Sequence, residues 1–297
     1  MTPRVRAAVW CAAAVVLHPV VPRAQAIQRS LYVSVVDGSG TPVADLGPPD
    51  FLVREDNSPR EVLRVAAADE PMQIAILVDN SQASQAYIRD IRVGLESFVT
   101  AMTNGTAHEL SIVTVGERPT ILTNLTSDRT ALLKGVGRVF EQQDSANYLL
   151  NGIIEVCQGF TKREAPRPVI VAITTEGPEY SSRRYEDVLR PLGATGTAFH
   201  VIVLGRPSGD ISEAGRNRSA VLDQGPRVSG GARESLLASS ALPGALTRLS
   251  TQLTHQYRVT YARPPSLIPP ERVTVRATRQ GLTARGTLVR EPGQRTR

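Results

Sequence analysis

The sequence predicts an α/β fold in which a doubly wound, mostly parallel sheet is flanked by helices. Four runs are nearly continuous in Val, Ile, Leu and Ala, as expected for strands covered on both faces: "QIAILVD", "ELSIVTVG", "PVIVAITT" and "AFHVIVLG". Helical patterns follow or separate these runs, at residues 84–102, 128–140, 146–160 and 185–192. Alternating apolar and polar residues near both ends of the chain predict, in addition, a small accessory β module.

The four units predicted along the chain are an export signal, an N-terminal β module, an α/β domain and a C-terminal β segment, at residues 1–26, 27–70, 71–262 and 263–297. Within the α/β domain, "PTILTNLT" predicts an antiparallel edge strand. Residues 206–231 predict a polar loop, and residues 236–253 one more helix.

The first 26 residues are typical of a signal peptide. Arg4 and Arg6 form a positive start, residues 7–17 are apolar, and "AQA" fits cleavage after Ala26. The apolar run is too short and too rich in Ala for a membrane span, and no later run is long enough. We therefore expect a secreted or periplasmic protein, with an uncleaved N-terminal anchor as the alternative.

The charge distribution and the cysteine content argue against a nucleic-acid partner and against an internal disulfide. Outside the leader the chain has 31 basic and 28 acidic residues, a net charge of +3, and its arginines are scattered. No nucleic-acid partner is predicted from such a distribution. Cys157 is the one cysteine outside the leader, so no internal disulfide is expected, and its place on an apolar helix predicts a buried, inert thiol.

Polar side chains follow two of the predicted central strands. Asp79 ends the first run and Ser81 comes two residues later, while Glu176 follows the run "PVIVAITT". Ligands of open α/β sheets bind beyond the carboxyl ends of the strands. Carboxylate and hydroxyl oxygens at such an edge suit Mg²⁺, Ca²⁺ or Mn²⁺ rather than zinc.

Several motifs carry a resemblance to a known family. The stretch "VSVVDGSGTPVADLGPPDFLVREDNSPREV" contains a "DF" and an "ED" pair after a "V.D..G.PV..L" run, and "QYRVTYARP" opens the final β segment. With the strand-end residues, these resemble von Willebrand factor type A (VWFA)-related domain proteins of the secreted bacterial, acidobacterial type, over most of the mature chain. The resemblance implies a Rossmann-like fold and a protein-binding function. It also implies a metal-ion-dependent adhesion site, where a D-x-S-x-S loop, a Thr and an Asp hold a cation that accepts a partner's carboxylate.

Carried over residue by residue, the implied metal site is only partly kept. Asp79 and Ser81 occupy the first two positions of the loop, but Ala83 stands at the third and has no oxygen to donate. Asn147 stands at the Thr position and Glu176 at the Asp position. The prediction is thus a degenerate site for Mg²⁺ (or Mn²⁺/Ca²⁺) at Asp79, Ser81, Asn147 and Glu176.

Structural roles are the alternative for each of these residues. Asp79 and Ser81 are also suited to capping the following helix, and Glu176 to an exposed turn. His200, within the run "AFHVIVL", is expected to be a satisfied core residue rather than a base.

Three functions are in play. The first is a non-enzymatic module that docks an unidentified protein, with or without metal. The second is a structural or scaffold envelope protein with a non-functional metal site. A hydrolase ranks last, because no nucleophile–base pair can be named.

Overall fold

The computed structural model describes residues 27–207, 209–265, 268 and 270–289. The predicted signal peptide at residues 1–26 lies outside them. In chain order the strands are β1 (Ile27–Val36), β2 (Phe51–Glu55), β3 (Ser58–Arg60), β4 (Val62–Ala67), β5 (Gln73–Val78), β6 (Glu109–Thr114), β7 (Thr120–Thr126), β8 (Pro168–Thr175), β9 (Ala198–Leu204), β10 (Arg233–Leu236), β11 (Tyr257–Arg263), β12 (Val273–Ala277) and β13 (Thr283–Leu288). The α-helices are α1 (Ile88–Met102), α2 (Arg129–Val136), α3 (Leu149–Lys162), α4 (Tyr185–Thr195), α5 (Glu213–Ser229) and α6 (Leu242–Thr254).

A six-stranded sheet forms the centre of the α/β unit, in the order β10-β9-β8-β5-β6-β7. The strands are parallel except β7, which pairs antiparallel with β6 at the edge. Helices α1, α2 and α6 pack on one face, and α3, α4 and α5 pack on the other. The predicted fold class is therefore confirmed, including the antiparallel edge strand.

Burial on both faces explains why the central runs are continuous in apolar residues. Every residue of β8 is buried, as is every residue of β9. Helix α1 presents a stripe to the sheet through Ile91, Leu95, Phe98 and Met102, which recur every three or four positions and are fully buried. Since adjacent strands are parallel and in register, their carboxyl ends meet at one edge, where Val78 lies level with Ile173 and with Thr114.

Two smaller sheets form a β module from both ends of the described chain. One has the order β13-β1-β11-β4, and the other the order β12-β2-β3. Leu31, Phe51 and Tyr261 belong to the apolar core that these sheets share. Strand β11 lies in this module, although its sequence falls within the predicted 71–262 unit, so the predicted domain boundaries stay a prediction.

Arg167 joins the β module to the α/β unit from the start of β8. Its guanidinium donates to the carbonyl oxygens of Ala68 (3.0 Å) and Glu70 (2.8 Å) and to Oε1 of Gln256 (2.6 Å). It also lies over the ring of Tyr32, 4.7 Å from the centroid. These contacts fix the linker that precedes β5 against the start of β11.

The structure corrects the expected polar loop at residues 206–231, most of which is helix α5. The buried face of this helix includes Arg218 as well as Val221 and Leu222, so the sequence lacks the apolar stripe that would indicate a helix. Ser212 caps its first turn, with its Oγ accepting a bond from the N–H of Gly215 (3.0 Å). The expected helix at 236–253 begins at Leu242 instead, because residues 233–236 form β10 along the edge of the sheet.

Within the described part of the chain, no helix has both the length and the apolar composition required to cross a bilayer.

Candidate functional site

A buried group of polar side chains lies at the carboxyl ends of β5 and β8. It consists of Asp79, Ser81, Asn147, Thr174 and Thr175, none of which is more than marginally exposed. We refer to these five residues as the polar cluster. The backbone N–H of Asp79 donates to the carbonyl oxygen of Ile173 (2.8 Å), which continues the strand pairing and brings the two strand ends together.

The carboxylate of Asp79 is the centre of the polar cluster. Its Oδ1 accepts bonds from the N–H (3.0 Å) and the hydroxyl (2.6 Å) of Ser81. Its Oδ2 accepts bonds from Nδ2 of Asn147 (2.9 Å) and from the N–H (2.9 Å) and hydroxyl (2.6 Å) of Thr175. The hydroxyl of Thr174 is a sixth donor, 3.4 Å from Oδ2. A carboxylate has about four lone-pair sites, so these donors saturate it.

Asn147 is held from both sides by backbone pairing. Its N–H donates to the carbonyl oxygen of Pro178 (3.1 Å), and its carbonyl oxygen accepts the N–H of Tyr180 (2.8 Å). Its Nδ2 donates to Oγ1 of Thr174 (2.7 Å) as well as to Asp79. Among the described residues, the side-chain Oδ1 of Asn147 is buried and has no partner.

Glu176 pairs with Arg218 of α5 rather than with Asp79. Nη1 of Arg218 lies 3.7 Å from Oε2 of Glu176. Nη2 donates to Oγ1 of Thr174 (3.3 Å) and to the carbonyl oxygen of Thr175. Of the four predicted site residues, Asp79, Ser81 and Asn147 are thus in direct contact. At the end of β8, the residue that contacts Asp79 is Thr175, and the predicted residue Glu176 is the next one along the chain.

Tight packing of two loops closes the polar cluster. A Cβ atom on Gly177 would lie only 2.5 Å from Cβ of Ala83, so the loop after β8 lies directly against the loop after β5. Ser84 does not supply the oxygen missing at Ala83, because its hydroxyl donates to the carbonyl oxygen of Ser81 (2.7 Å). The helix-cap alternative is wrong for Ser81. It precedes a 3₁₀ turn at Gln82–Tyr87, but its side chain caps no N–H of that turn.

These contacts do not fit the six oxygen ligands at near-ideal geometry that Mg²⁺ requires. The lone pairs of Asp79 are in use, Ala83 supplies no oxygen, and Glu176 faces a guanidinium. Within the described residues, no group of three or more His, Cys, Asp or Glu side chains could hold a metal ion. Metal binding at Asp79, Ser81, Asn147 and Glu176 therefore stays a prediction, and the geometry does not favour it.

Glu179 is a site residue that the sequence analysis missed. It lies three residues after Glu176, and burial raises the pKa of its carboxyl to about 7, against the lowering effect of bonds from Ser181 and of the charge of Arg218. Its Oε1 accepts the N–H of Ser181 (3.1 Å). The signal available in the sequence was weak, because an acid after Pro178 is typical of an exposed turn.

The loops around the polar cluster carry exposed apolar side chains. We define the carboxyl rim as residues 80–87, 137–148, 176–184, 205–207, 209–212 and 237–241, which lie at the carboxyl ends of the parallel strands. Its most exposed large apolar side chains are Phe140 (61%), Tyr180 (61%), Ile211 (85%) and Leu237 (75%). They come from four different loops.

Two residues away from the rim bear on the predictions. Cys157 is a free thiol and is buried, as predicted, and burial raises its pKa to about 12, which disfavours the reactive thiolate. His200 is 2% exposed, but neither ring nitrogen has a partner among the described residues, so the expectation of a satisfied side chain was wrong. His200 lines a cavity of about 40 Å³ between β9 and α6, large enough for water.

Comparison with solved structures identifies the fold. The von Willebrand factor domain of the type V pili tip protein from Porphyromonas gingivalis matches with a TM-score of 0.51 and 10% identity, over 63% of this chain and 96% of that one. A von Willebrand factor type A protein from Catenulispora acidiphila matches with a TM-score of 0.48 and 13% identity, over 90% of this chain and 73% of that one. Manganese-loaded TRAP protein from Plasmodium vivax matches with a TM-score of 0.47 and 14% identity, over 72% and 94% of the two chains.

No protein-family model and no curated protein matches the sequence. At these identities the likeness concerns the fold and not the activity or the ligands of the other proteins. The sheet order and the first of these structures agree with the von Willebrand factor type A fold that the resemblance implies, while the secreted acidobacterial type and the degenerate metal site stay predictions. The chain therefore has the fold of a von Willebrand factor type A domain, completed by a β module from its two ends.

Proposed function

We propose that this chain is an exported, non-enzymatic protein-interaction module that docks a protein partner through the carboxyl rim. The observation that carries the proposal is the placement of Phe140, Tyr180, Ile211 and Leu237 on four separate rim loops, all largely exposed. Exposed apolar side chains on the loops at one end of a domain are typical of interaction sites, and aromatic residues are enriched in protein interfaces.

The polar cluster lies beneath the rim loops and holds them in place by hydrogen bonds. Asp79 binds Ser81, Asn147 and Thr175, which lie in or next to three of the rim loops. Loops fixed in this way lose little conformational entropy when a partner binds, so less of the binding free energy is spent on ordering them. Mutual hydrogen bonding of buried polar groups therefore has a functional consequence at the surface, although the cluster itself makes no contact with solvent.

A non-enzymatic role is supported by the positions of the reactive groups. None of the three histidines in the described part of the chain lies on the carboxyl rim. The hydroxyl of Ser81 donates to a saturated carboxylate and is fully buried. A hydrolase would require a nucleophile within reach of a base and of substrate.

Export is proposed from residues 1–26, which lie outside the described structure. N-terminal sequencing of the protein recovered from the envelope or culture medium tests it, and we expect a mature chain that starts at Ile27. Recovery of full-length protein in the membrane fraction would instead support the uncleaved anchor.

The docking proposal is tested by affinity capture from envelope extracts. Substitution of both Phe140→Ser and Tyr180→Ser removes two aromatic anchors, and we expect at least a roughly tenfold loss of captured partner, as at interface hot spots. The matched control is Val93→Ser with Val228→Ser, two exposed apolar side chains on helices away from the rim. Melting curves of both variants verify that they are folded.

Equal capture by the rim variant and the wild-type protein would contradict rim docking. It would favour the scaffold alternative, in which the β module or the surface around α5 makes the contacts. A partner lost by both double variants would also contradict a specific role of the rim.

Metal-assisted docking is the second candidate. It is favoured by one observation, the buried Oδ1 of Asn147 that has no partner among the described residues. Calorimetric titration with Mg²⁺, Mn²⁺ and Ca²⁺ tests it, as does capture in the presence of a chelator. Absence of heat and of a thermal shift at millimolar metal would remove the cation from the proposal and leave metal-free docking in place.

A further inference from the structure

We propose that Arg218 takes the place of a divalent cation at the carboxyl ends of β5 and β8, and holds the polar cluster in one arrangement without metal. The proposal concerns the charge balance beneath the rim and does not depend on the docking function. It accounts for the poor fit of the side chains to a metal ion, since the positive charge is already provided by the protein.

Arg218 is built into the site rather than lying over it. It comes from the second turn of α5, its side chain is 6% exposed, and its two terminal nitrogens reach three groups at the end of β8. Nη2 donates to the hydroxyl of Thr174 and to the carbonyl oxygen of Thr175, and Nη1 faces the carboxylate of Glu176. A planar guanidinium with five N–H donors suits such a divided set of acceptors.

A chain of hydrogen bonds connects Arg218 to Asp79. Nη2 of Arg218 donates to Oγ1 of Thr174, and the hydroxyl of Thr174 lies 3.4 Å from Oδ2 of Asp79. Asp79 is fully buried, and none of its described hydrogen-bond donors carries a formal charge. A buried carboxylate without compensating positive charge is strongly unfavourable. Arg218 is the cation that this network brings nearest to it.

The same arrangement disfavours a second cation. A divalent ion bound by Glu176 or by the oxygens around Thr174 would be repelled by the guanidinium at short range and low dielectric. It would also have to displace donors from Asp79, whose lone pairs are in use. We therefore expect the wild-type protein to bind no divalent ion at this site at millimolar concentration.

The test compares Arg218→Lys with Arg218→Met by thermal unfolding of the full mature chain. Arg218→Met removes the charge, and we expect the melting temperature to fall by roughly 5–10 °C, as expected when a buried ion pair loses one partner. Arg218→Lys keeps the charge and should recover at least half of that loss. Arg190→Met is the control, because Arg190 forms an exposed ion pair with Asp187 on α4, and it should leave the melting temperature nearly unchanged.

A second measurement separates charge balance from packing. In a Glu176→Gln background, the difference between the Lys and Met variants should become smaller, because one of the paired charges is gone. If Arg218→Met does not fold, Arg218→Gln replaces it as the neutral variant in both backgrounds.

Three results would overturn the proposal. Equal melting temperatures of the Lys and Met variants would show that the charge is irrelevant. A Lys–Met difference that is undiminished both in the Glu176→Gln and in an Asp79→Asn background would show that Arg218 balances neither carboxylate. A rise of several degrees in the melting temperature of the wild-type protein with Mn²⁺ or Mg²⁺, abolished by Asp79→Asn, would show that the site takes a metal after all.

Discussion

Asp79 shows how the role of one strand-end acid is decided by its neighbours. The same carboxylate could bind a cation or accept hydrogen bonds, and its position after β5 suits either role. Here Ser81, Asn147 and Thr175 all present donors to it. The residue thus acts as an acceptor hub, which stabilises the loops on either side of it.

Thr175 offers a direct test of this role. Thr175→Val keeps the shape of the side chain but removes the hydroxyl that donates to Asp79, so a buried acceptor loses one partner. We expect the free energy of unfolding to fall by about 1–3 kcal/mol, measured by urea denaturation. Thr120→Val, in an exposed position of β7, is the control and should change it by less than about 0.5 kcal/mol. A similarly small effect at both positions would contradict the stabilising role of the hydrogen bond from Thr175 to Asp79.

His200 predicts a pH dependence of stability. Burial lowers the pKa of its imidazole to about 3, with a smaller contribution from the charge of Arg285. The unfolded chain binds a proton near pH 6.5, whereas the folded protein does not until the pH approaches 3. This contribution to stability is therefore fully present above pH 6.5 and is lost as the pH falls towards 3.

His200→Leu should remove that part of the pH dependence. Between pH 6 and pH 4, the free energy of unfolding of the wild-type protein should fall faster than that of the variant, by up to about 1.4 kcal/mol for each pH unit. Urea denaturation at a series of pH values measures the difference. His255→Gln, at an exposed histidine, should leave the slope unchanged. Parallel curves for wild type and His200→Leu would contradict the prediction.

At the scale of elements, the sequence predicted correctly those strands whose burial on both faces requires a continuous run of apolar residues. Strands β5, β6, β8 and β9 are covered on both faces, so almost any apolar run of that length at that spacing identifies them. The prediction missed helix α5 because the buried face of this helix contains Arg218 and Gly225 beside Val221 and Leu222. A polar helix with glycine and proline looks like a loop.

The error at α5 and the choice of Glu176 have related causes. Arg218 was not recognised as a site residue because its helix was not. Glu176 is predicted because it stands at the Asp position that the family resemblance implies, and the sequence of β8, which is buried on both faces, has no alternation to indicate that Thr175 faces Asp79 instead. Asp79 and Ser81 could be placed at the site from the sequence because they follow a recognisable strand, whereas Asn147 was assigned to it only through the family resemblance.

The contact between the loops after β5 and β8 gives a prediction at this scale. Gly177→Ala would put a Cβ atom 2.5 Å from Cβ of Ala83, which has no flexible end that could move aside. We expect a loss of about 1–3 kcal/mol in the free energy of unfolding, and faster amide exchange at Ser81 and Asn147. Gly38→Ala is the control, since a Cβ there meets nothing within 4 Å. Unchanged exchange in the Gly177 variant would contradict the close contact.

At the scale of the whole molecule, Arg167 couples the β module to the α/β unit. Arg167→Met would leave the carbonyl oxygens of Ala68 and Glu70 and the side chain of Gln256 without its donors. We expect a loss of about 2–4 kcal/mol and a calorimetric transition that broadens or splits, because the two parts no longer unfold together. Arg163→Met, at the exposed arginine that immediately follows α3, should melt like the wild-type protein. A single, unshifted transition for Arg167→Met would show that this coupling is not needed.

Strand β1 lies between β11 and β13, which are synthesised more than 200 residues after it. Its Ser30 hydroxyl is 3.0 Å from that of Thr260, 230 positions further along the chain, and Leu31 lies opposite both Val259 and Leu288. During biosynthesis neither neighbour of β1 exists until residues 257–288 have been synthesised, whereas every strand of the central sheet precedes them in the chain. Pulse-labelled refolding should protect the amides of β5 and β8 before those of β1. Until β11 and β13 are available, both edges of β1 are unpaired, and unpaired strand edges favour aggregation.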